Sequence, residues 1–313
     1  MKRRLKIFAG KSNLGLAQDI CKCLSIELGE MKYVKFSNCN IKVTINESVR
    51  EDDVYVIQSG YPDTNEALME LLIIIDALKY ASASRITAVL PYYPYVRSDK
   101  KDEPRISITA RLVADLLETA GANRILAMDL HAPQIGGFPR IPVDQLQIIP
   151  TMCEYIEKKG LQNYVVAAPD VGSAKRAEGF ARRLDVPMVI MDKRRYRDDE
   201  KAKVINIIGD VDGKDCFILD DEVSTGGSMI EACRVLKETG AKDLYAGCSH
   251  GILCGGAEKR LEESPLKEFI TTNTIDQTKF TNFSKLKILN VANLFSDAIA
   301  AIHMGTSVSK LFI

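Results

Sequence analysis

Two adjacent acids, Asp220 and Asp221, stand a few residues ahead of the run Thr225-Gly226-Gly227-Ser228. The apolar stretch Cys216 to Leu219 before them reads as a buried strand, the glycines as a tight turn, and the residues from Met229 to Gly240 as an amphipathic helix. Glycines allow close backbone approach, and the N–H groups of such a turn and of the following helix attract anions. Carboxylates repel the same anions. A ligand with two faces reconciles them: a phosphate for the amides, and hydroxyls or a metal for the acids. The plainer alternative, that Ser224 to Ser228 only cap a helix, leaves two carboxylates at the end of an apolar strand, where burial is costly without a partner. The stretch carries neither the lysine of a P-loop nor a GxGxxG pattern. A phosphoribosyl group fits it best.

Other charged residues follow apolar runs in the same way. "MDKRRYRDDEKAK", residues 191 to 203, sets Lys193 and Arg195 in a basic cluster followed by acids, which taken alone reads as a solvated loop. His131 lies in "DLHAPQ" and Asp170 in "APDVGSAKRA". "PYYPYVRSDKK" joins aromatic rings to cations, a combination that can stack on single-stranded nucleic acid. Lys+Arg and Asp+Glu both count 42, however, and Asp99, Asp102 and Glu103 interrupt the patch. No global field draws the chain to nucleic acid or to an anionic membrane.

The elements that must position these residues are legible as short apolar runs alternating with helical patterns: "LKIFAG", "DVYVIQS", "RITAVLP", "RILAMDL", then "YVVAAPD", "PMVIMD", "DCFILD" and "DLYAGCSH". This alternation predicts an α/β protein with mostly parallel sheets flanked by helices, whose ligands bind at the carboxyl ends of the strands. The pattern occurs twice, divided near "IPVDQLQIIP", which predicts domains at 1–145 and 146–313. With 313 residues and 46% hydrophobic content, the chain can bury two cores. "LMELLIIIDALKYA", residues 68 to 81, is interrupted by charges and too short to span a bilayer, so it reads as a buried helix. The basic N-terminus lacks the apolar run of a signal peptide, and the eight cysteines form no CxxC pair. Reduced thiols in a cytoplasmic protein are the expectation.

The acid pair and its turn resemble the binding loop of type I phosphoribosyltransferases. "KIFAGKSN", "FSNCNIKVTINESVR", "PYYPYVRSDKKDEPR" and "MDLHAPQIGGF", in that order and together with "APDVGSAKRA", "DKRR" and "TTNTI", are similar to the ribose-phosphate pyrophosphokinase family from residue 5 to about the last helix. The resemblance implies two tandem phosphoribosyltransferase-type domains, an N-terminal one with the ATP motifs and a C-terminal one with the sugar-phosphate and catalytic loops. It also implies transfer of the pyrophosphoryl group of ATP to the 1-hydroxyl of ribose 5-phosphate, with Mg²⁺ and release of AMP. Position by position, it implies Lys193 and Arg195 in a catalytic loop, and Phe36, Asn38, Asn40, Arg97, Ser98 and Asp99 at ATP. Asp220, Asp221, Ser224, Thr225, Gly226, Gly227 and Ser228 fall at ribose 5-phosphate, and His131 and Asp170 near the metal. Ser98 and Asn40 depart from the glutamine and glutamate usual in the family. The family commonly forms hexamers built from dimers. A non-catalytic regulatory homologue of the same fold is the alternative, but it should have lost charges that stand here.

Overall fold

The computed structural model describes residues 3–194 and 203–312. The chain divides into two compact units, the first comprising Met1–Gln147, Thr274–Asp276 and Asn290–Ile313, the second Ile148–Asn273 and Gln277–Leu289.

The first unit contains β1 (Leu5–Ala9), α1 (Leu14–Leu24), β2 (Met31–Lys35), β3 (Ile41–Ile45), β4 (Asp53–Ile57), α2 (Thr64–Tyr80), β5 (Arg85–Leu90), α3 (Thr109–Ala120), β6 (Arg124–Met128) and β7 (Val143–Leu146). Its main sheet runs β1-β4-β5-β6-β7 with every pairing parallel, while β2 and β3 form a separate antiparallel hairpin. Strand β4 reads DVYVI and is buried along its whole length, as a central parallel strand covered on both faces must be. Helix α2 keeps the apolar run helical through Tyr80, with Leu71, Ile74, Ile75 and Leu78 buried. It is not buried all round: Met69 and Tyr80 lie on an exposed face, at 52% and 83%. Among the described residues no helix is long and apolar enough to cross a membrane.

The second unit contains α4 (Ile149–Glu157), β8 (Tyr164–Ala168), α5 (Ala174–Leu184), β9 (Met188–Arg194), β10 (Lys203–Ile208), β11 (Asp215–Val223), α6 (Gly227–Glu238), β12 (Leu244–Gly251), α7 (Ala257–Glu263), β13 (Leu266–Thr272) and β14 (Leu286–Leu289). The sheet order is β10-β9-β8-β11-β12-β13-β14, parallel except for β10 against β9. Strands β11 and β12, at its centre, supply Ile218, Ala246 and Cys248 to a core shared with Met229, Cys233 and Leu236 of α6.

Two features of the expected division change. Within the proline-bounded segment near 141–150 the break falls at 147/148 and not at 145/146, because β7 pairs with β6 from Ile125↔Val143 to Met128↔Leu146. The last helix, α8 (Ala292–Met304), belongs with the first unit, although 146–313 was expected to be continuous. The reason is apolar burial on α1, against which α8 packs Phe295 and Ile299, both fully buried.

Candidate active site

Strand β11 does not stop before its acids. It continues to Val223, pairing Asp220 with Cys248 and Glu222 with His250 of β12, so Asp220 to Glu222 are strand residues at the carboxyl end of the central pair. Ladder bonds fix their backbone, and strand alternation sends neighbouring side chains to opposite faces. The Asp221 N–H donates to Asp220 Oδ1 at 2.9 Å, and Arg176 of α5 lies 3.8 Å from Asp221 Oδ2. Asp170 follows β8, the neighbour of β11 on its other side. It is held in a turn in which Ser173 N–H donates to its Oδ1 at 2.9 Å and Ser173 Oγ donates to its carbonyl at 2.9 Å. Burial, then Asp221, and more weakly the charge of Asp170 push the Asp220 carboxyl up to about 8. Such crowding of acids is a cation's or a hydroxyl's environment.

Helix α6 starts at Gly227, two residues earlier than the periodicity suggests, with Gly226 at its N-cap in the left-handed region, φ +76°. A side chain at 226 would be strained whatever the space, which accounts for a glycine there. No side chain caps this helix. The Ser224 hydroxyl instead meets the Cys254 thiol at 3.2 Å. The capping alternative therefore lacks its hydrogen bond, and the positive N-terminal end of α6 faces the turn. A Cβ at Gly227 would come no nearer to any other atom than 4.0 Å, at Thr225 Oγ1.

The turn between β1 and α1 of the first unit is, by contrast, closed by its own side chains. Gln58 Oε1 accepts from Ser12 N and Oγ at 3.1 and 2.6 Å, Asn13 Oδ1 caps Leu16 N, and a Cβ at Gly10 would meet the Gln58 amide at 2.4 Å. Of the two turns, only the one in the second unit is open to an anion.

The first unit gathers its expected residues at loops and at the hairpin. Arg97 is exposed, and Asp99 is buried and accepts from Gln134 Nε2 at 2.9 Å, which ties the loop after β5 to the loop after β6 that carries the exposed His131. Ser98 turns inward: its hydroxyl lies 3.3 Å from the Ser107 carbonyl and from Thr109 Oγ1 and N, at the start of α3. Phe36, Asn38 and Asn40 form the tip of the β2–β3 hairpin, closed by Phe36 N to Asn40 O at 2.9 Å and Asn40 N to Asn38 Oδ1 at 3.1 Å, with Phe36 48% exposed. Lys193 lies in β9 with its side chain outside the described atoms, and Arg195 lies outside the described residues.

Sequence reasoning did not single out Arg176, Gln134, Cys254 or Arg260. Arg176 and Gln134 lie inside stretches already noted, and the place of Arg176 in the first turn of α5, just after Asp170, could have drawn attention to it. Nothing local marks Arg260, which reaches Thr225 across 35 positions.

A family model for the N-terminal domain of ribose phosphate pyrophosphokinase matches residues 5–121, and one for the phosphoribosyl synthetase-associated domain matches 197–313. The ribose-phosphate pyrophosphokinase of Clostridium tetani is 48% identical across 99% of this chain and 98% of its own. The chain belongs to the ribose-phosphate pyrophosphokinase family. The Deinococcus radiodurans member is also 48% identical, covering 98% of each chain. The crystal structure of phosphoribosylpyrophosphate synthetase from Mycobacterium smegmatis superposes with a TM-score of 0.92 at 41% identity, over 97% of this chain and all of that one. The family's two-unit α/β fold is thus present from end to end.

Proposed function

We propose that this chain transfers the β,γ-pyrophosphoryl group of ATP to the 1-hydroxyl of ribose 5-phosphate, forming 5-phosphoribosyl 1-pyrophosphate and AMP. The oxygen of the sugar hydroxyl bonds to the β-phosphorus, the bond from that phosphorus to the oxygen of AMP breaks, and the hydroxyl proton is lost. The observation that carries this reading is the open turn at Ser224–Ser228 beside Asp220 and Asp221 in a full-length member of the family. The 5-phosphate rests on the turn's N–H groups, and the two acids accept from the ribose hydroxyls. Charge on the transferring oxygens falls to Lys193 and Arg195, because phosphoryl transfer depends mainly on positioning and electrostatics. ATP is assigned to Phe36, Asn38, Asn40, Arg97 and Asp99. Ser98 is the weakest member of that set, since its hydroxyl serves the start of α3.

Mg²⁺ suits the acidic end of β11. Asp220 is crowded by Asp221 and Asp170, and hard oxygen donors of this kind are its usual ligands. Among the described residues no three acidic, histidine or cysteine side chains enclose a metal by themselves, so the remaining ligands would be substrate oxygens and water. When bound, Mg²⁺ supplies positive charge to the phosphate oxygens. Asp170 is the better protein ligand, and exposed His131 is assigned a role near the phosphates. Assembly as a homo-oligomer and a cytoplasmic location complete the reading. The exposed aromatic tip at Phe36 supports a hairpin that serves a neighbouring subunit.

A coupled assay for AMP formed from ATP and Mg²⁺ tests the activity: formation that depends on ribose 5-phosphate is expected. Binding of both substrates without any AMP would instead identify a regulatory homologue.

A further inference from the structure

Three successive carbonyls at the mouth of the open turn are all held by one neighbouring segment. Val223 O accepts from Ile252 N and Leu253 N at 3.0 and 3.1 Å, and Ser224 O accepts from Cys254 N at 3.0 Å. Thr225 O accepts from Arg260 Nη2 at 2.6 Å, and the same guanidinium donates through Nη1 to Gly255 O at 2.8 Å. The exposed Arg260 side chain thus bridges the turn after β11 to the loop after β12.

The consequence follows from peptide geometry. The peptides after Ser224 and Thr225 are trans, since Tyr61–Pro62 is the cis bond found among the described residues. In a planar trans peptide the carbonyl and the N–H point in opposite directions. Anchoring the carbonyls of Ser224 and Thr225 to the 252–260 side therefore turns the N–H groups of Thr225 and Gly226 away from it. No acceptor among the described residues takes either N–H. They lead into the N-terminus of α6, whose positive end suits a phosphate.

We propose that Arg260 is a positioning residue for ribose 5-phosphate: without touching the sugar, it holds the Thr225–Gly226 peptide in the orientation that presents its N–H to the 5-phosphate. Arginine suits the task because its planar fork donates to two carbonyls on two loops at once, whereas lysine offers a single compact charge. Cys254 acts alongside it through its backbone. The inference rests on the reading that the 5-phosphate sits at Ser224–Ser228.

The test compares Arg260→Lys, Arg260→Gln and Arg260→Ala with Gly227→Ala, whose added methyl would make only an ordinary contact with Thr225 Oγ1 at 4.0 Å. In the Arg260→Gln and Arg260→Ala enzymes, KM and the calorimetric Kd for ribose 5-phosphate should rise about tenfold, the worth of one charge-assisted hydrogen bond. Their kcat and KM for ATP should change less than about twofold. Arg260→Lys should fall between these and the unmodified enzyme, and methylguanidinium should restore sugar-phosphate affinity to Arg260→Ala. Gly227→Ala should weaken ribose 5-phosphate by crowding the cradle. A sugar-phosphate defect in Gly227→Ala with none in the folded Arg260 variants overturns the inference and leaves the placement standing. No defect in either overturns the placement, and the inference with it. An Arg260 defect that affects both substrates equally, or is not matched in Gly227→Ala, makes Arg260 merely structural and also overturns the inference. Arg260→Lys keeps the comparison informative should the alanine variant fold poorly.

Discussion

At Asp220 the strand and the turn make opposite electrostatic demands, and the structure satisfies both by giving each its own direction. The acids belong to β11 and are fixed by its ladder, whereas the N–H groups belong to the turn and face a separate part of the ligand. This arrangement could be read from the sequence because acids and glycines are contiguous. The supports of the turn could not, since Arg260 and Cys254 arrive from a different strand–helix unit and carry no local signature. Ser98 was legible as a departure from the family, but only the fold shows that its hydroxyl is engaged at α3. Exchanging both Asp220 and Asp221 for Asn should weaken ribose 5-phosphate binding measured by calorimetry, because amides are weaker acceptors and supply no charge to a cation. Unchanged affinity would leave the acids without a substrate role. For Lys193→Ala, steady-state kinetics should show kcat reduced by about a hundredfold or more with KM for ribose 5-phosphate little altered, since its charge is needed mainly in the transition state.

Among the elements, the strands buried on both faces were the easiest to read: "DVYVI", "RITAVL" and "CFIL" are continuous apolar runs and became β4, β5 and the body of β11. The β2–β3 hairpin, β7, β10, β13 and β14 escaped notice: all but β13 lie at edges or apart from the main sheets, where alternating polar residues blur the pattern, and interior β13 carries the charged pair Lys267-Glu268 near its start. Their neighbours, not their composition, make them strands. The same holds for the attachment of α8, which joins at Asp53 on β4. Arg85 Nε donates to Asp53 Oδ1 at 2.6 Å, Tyr55 Oη donates to Oδ2 at 3.1 Å, His303 Nδ1 lies 2.8 Å from Oδ2, and Arg85 also reaches the Ile302 carbonyl at 3.1 Å. Burial alone would raise the Asp53 carboxyl, but the hydrogen bonds from Arg85 and His303 and the Arg85 charge together hold it below its ordinary value. Near that ordinary value the unfolded chain binds more protons than the folded one, so stability rises with pH there. The contribution is present above the usual aspartate range and lost as pH falls through the lowered value. Asp53→Asn should cost about 3 kcal/mol at neutral pH, the scale of a broken buried pair. Urea unfolding at a series of pH values should show a shallower acid decline for the variant. Parallel declines would mean that the knot carries no pH-dependent stability.

For the molecule as a whole, the chain leaves its first unit at Gln147, builds the second, touches the first again at Thr274–Asp276, and returns at Asn290 to finish it. The alternation of runs in the sequence implied two domains but not this return, because amphipathic α8 shows that it has a buried face without showing which partner covers it. That partner is α1, whose Leu16, Ala17 and Ile20 are buried, and the α8 side supplies Phe295, Ala298, Ile299 and Ile302. Three large side chains are thereby removed from water on α8 alone, each worth about 1.5–3 kcal/mol. Set against a typical domain stability of about 5–15 kcal/mol, that loss is comparable with the unit's whole margin. A fragment of residues 1–147 should therefore lack a cooperative thermal transition by circular dichroism and should aggregate on gel filtration, even though it holds the whole five-stranded sheet. Joining the same fragment through a short Gly/Ser linker to residues 290–313 should restore a cooperative melt, because α8 again covers α1 and His303 again meets Asp53. Phe295→Ala in the joined fragment should lower its melting temperature, as expected for a large core truncation. A monomeric 1–147 fragment with a sharp transition of its own would show that α8 is an accessory to the first unit and not part of its core.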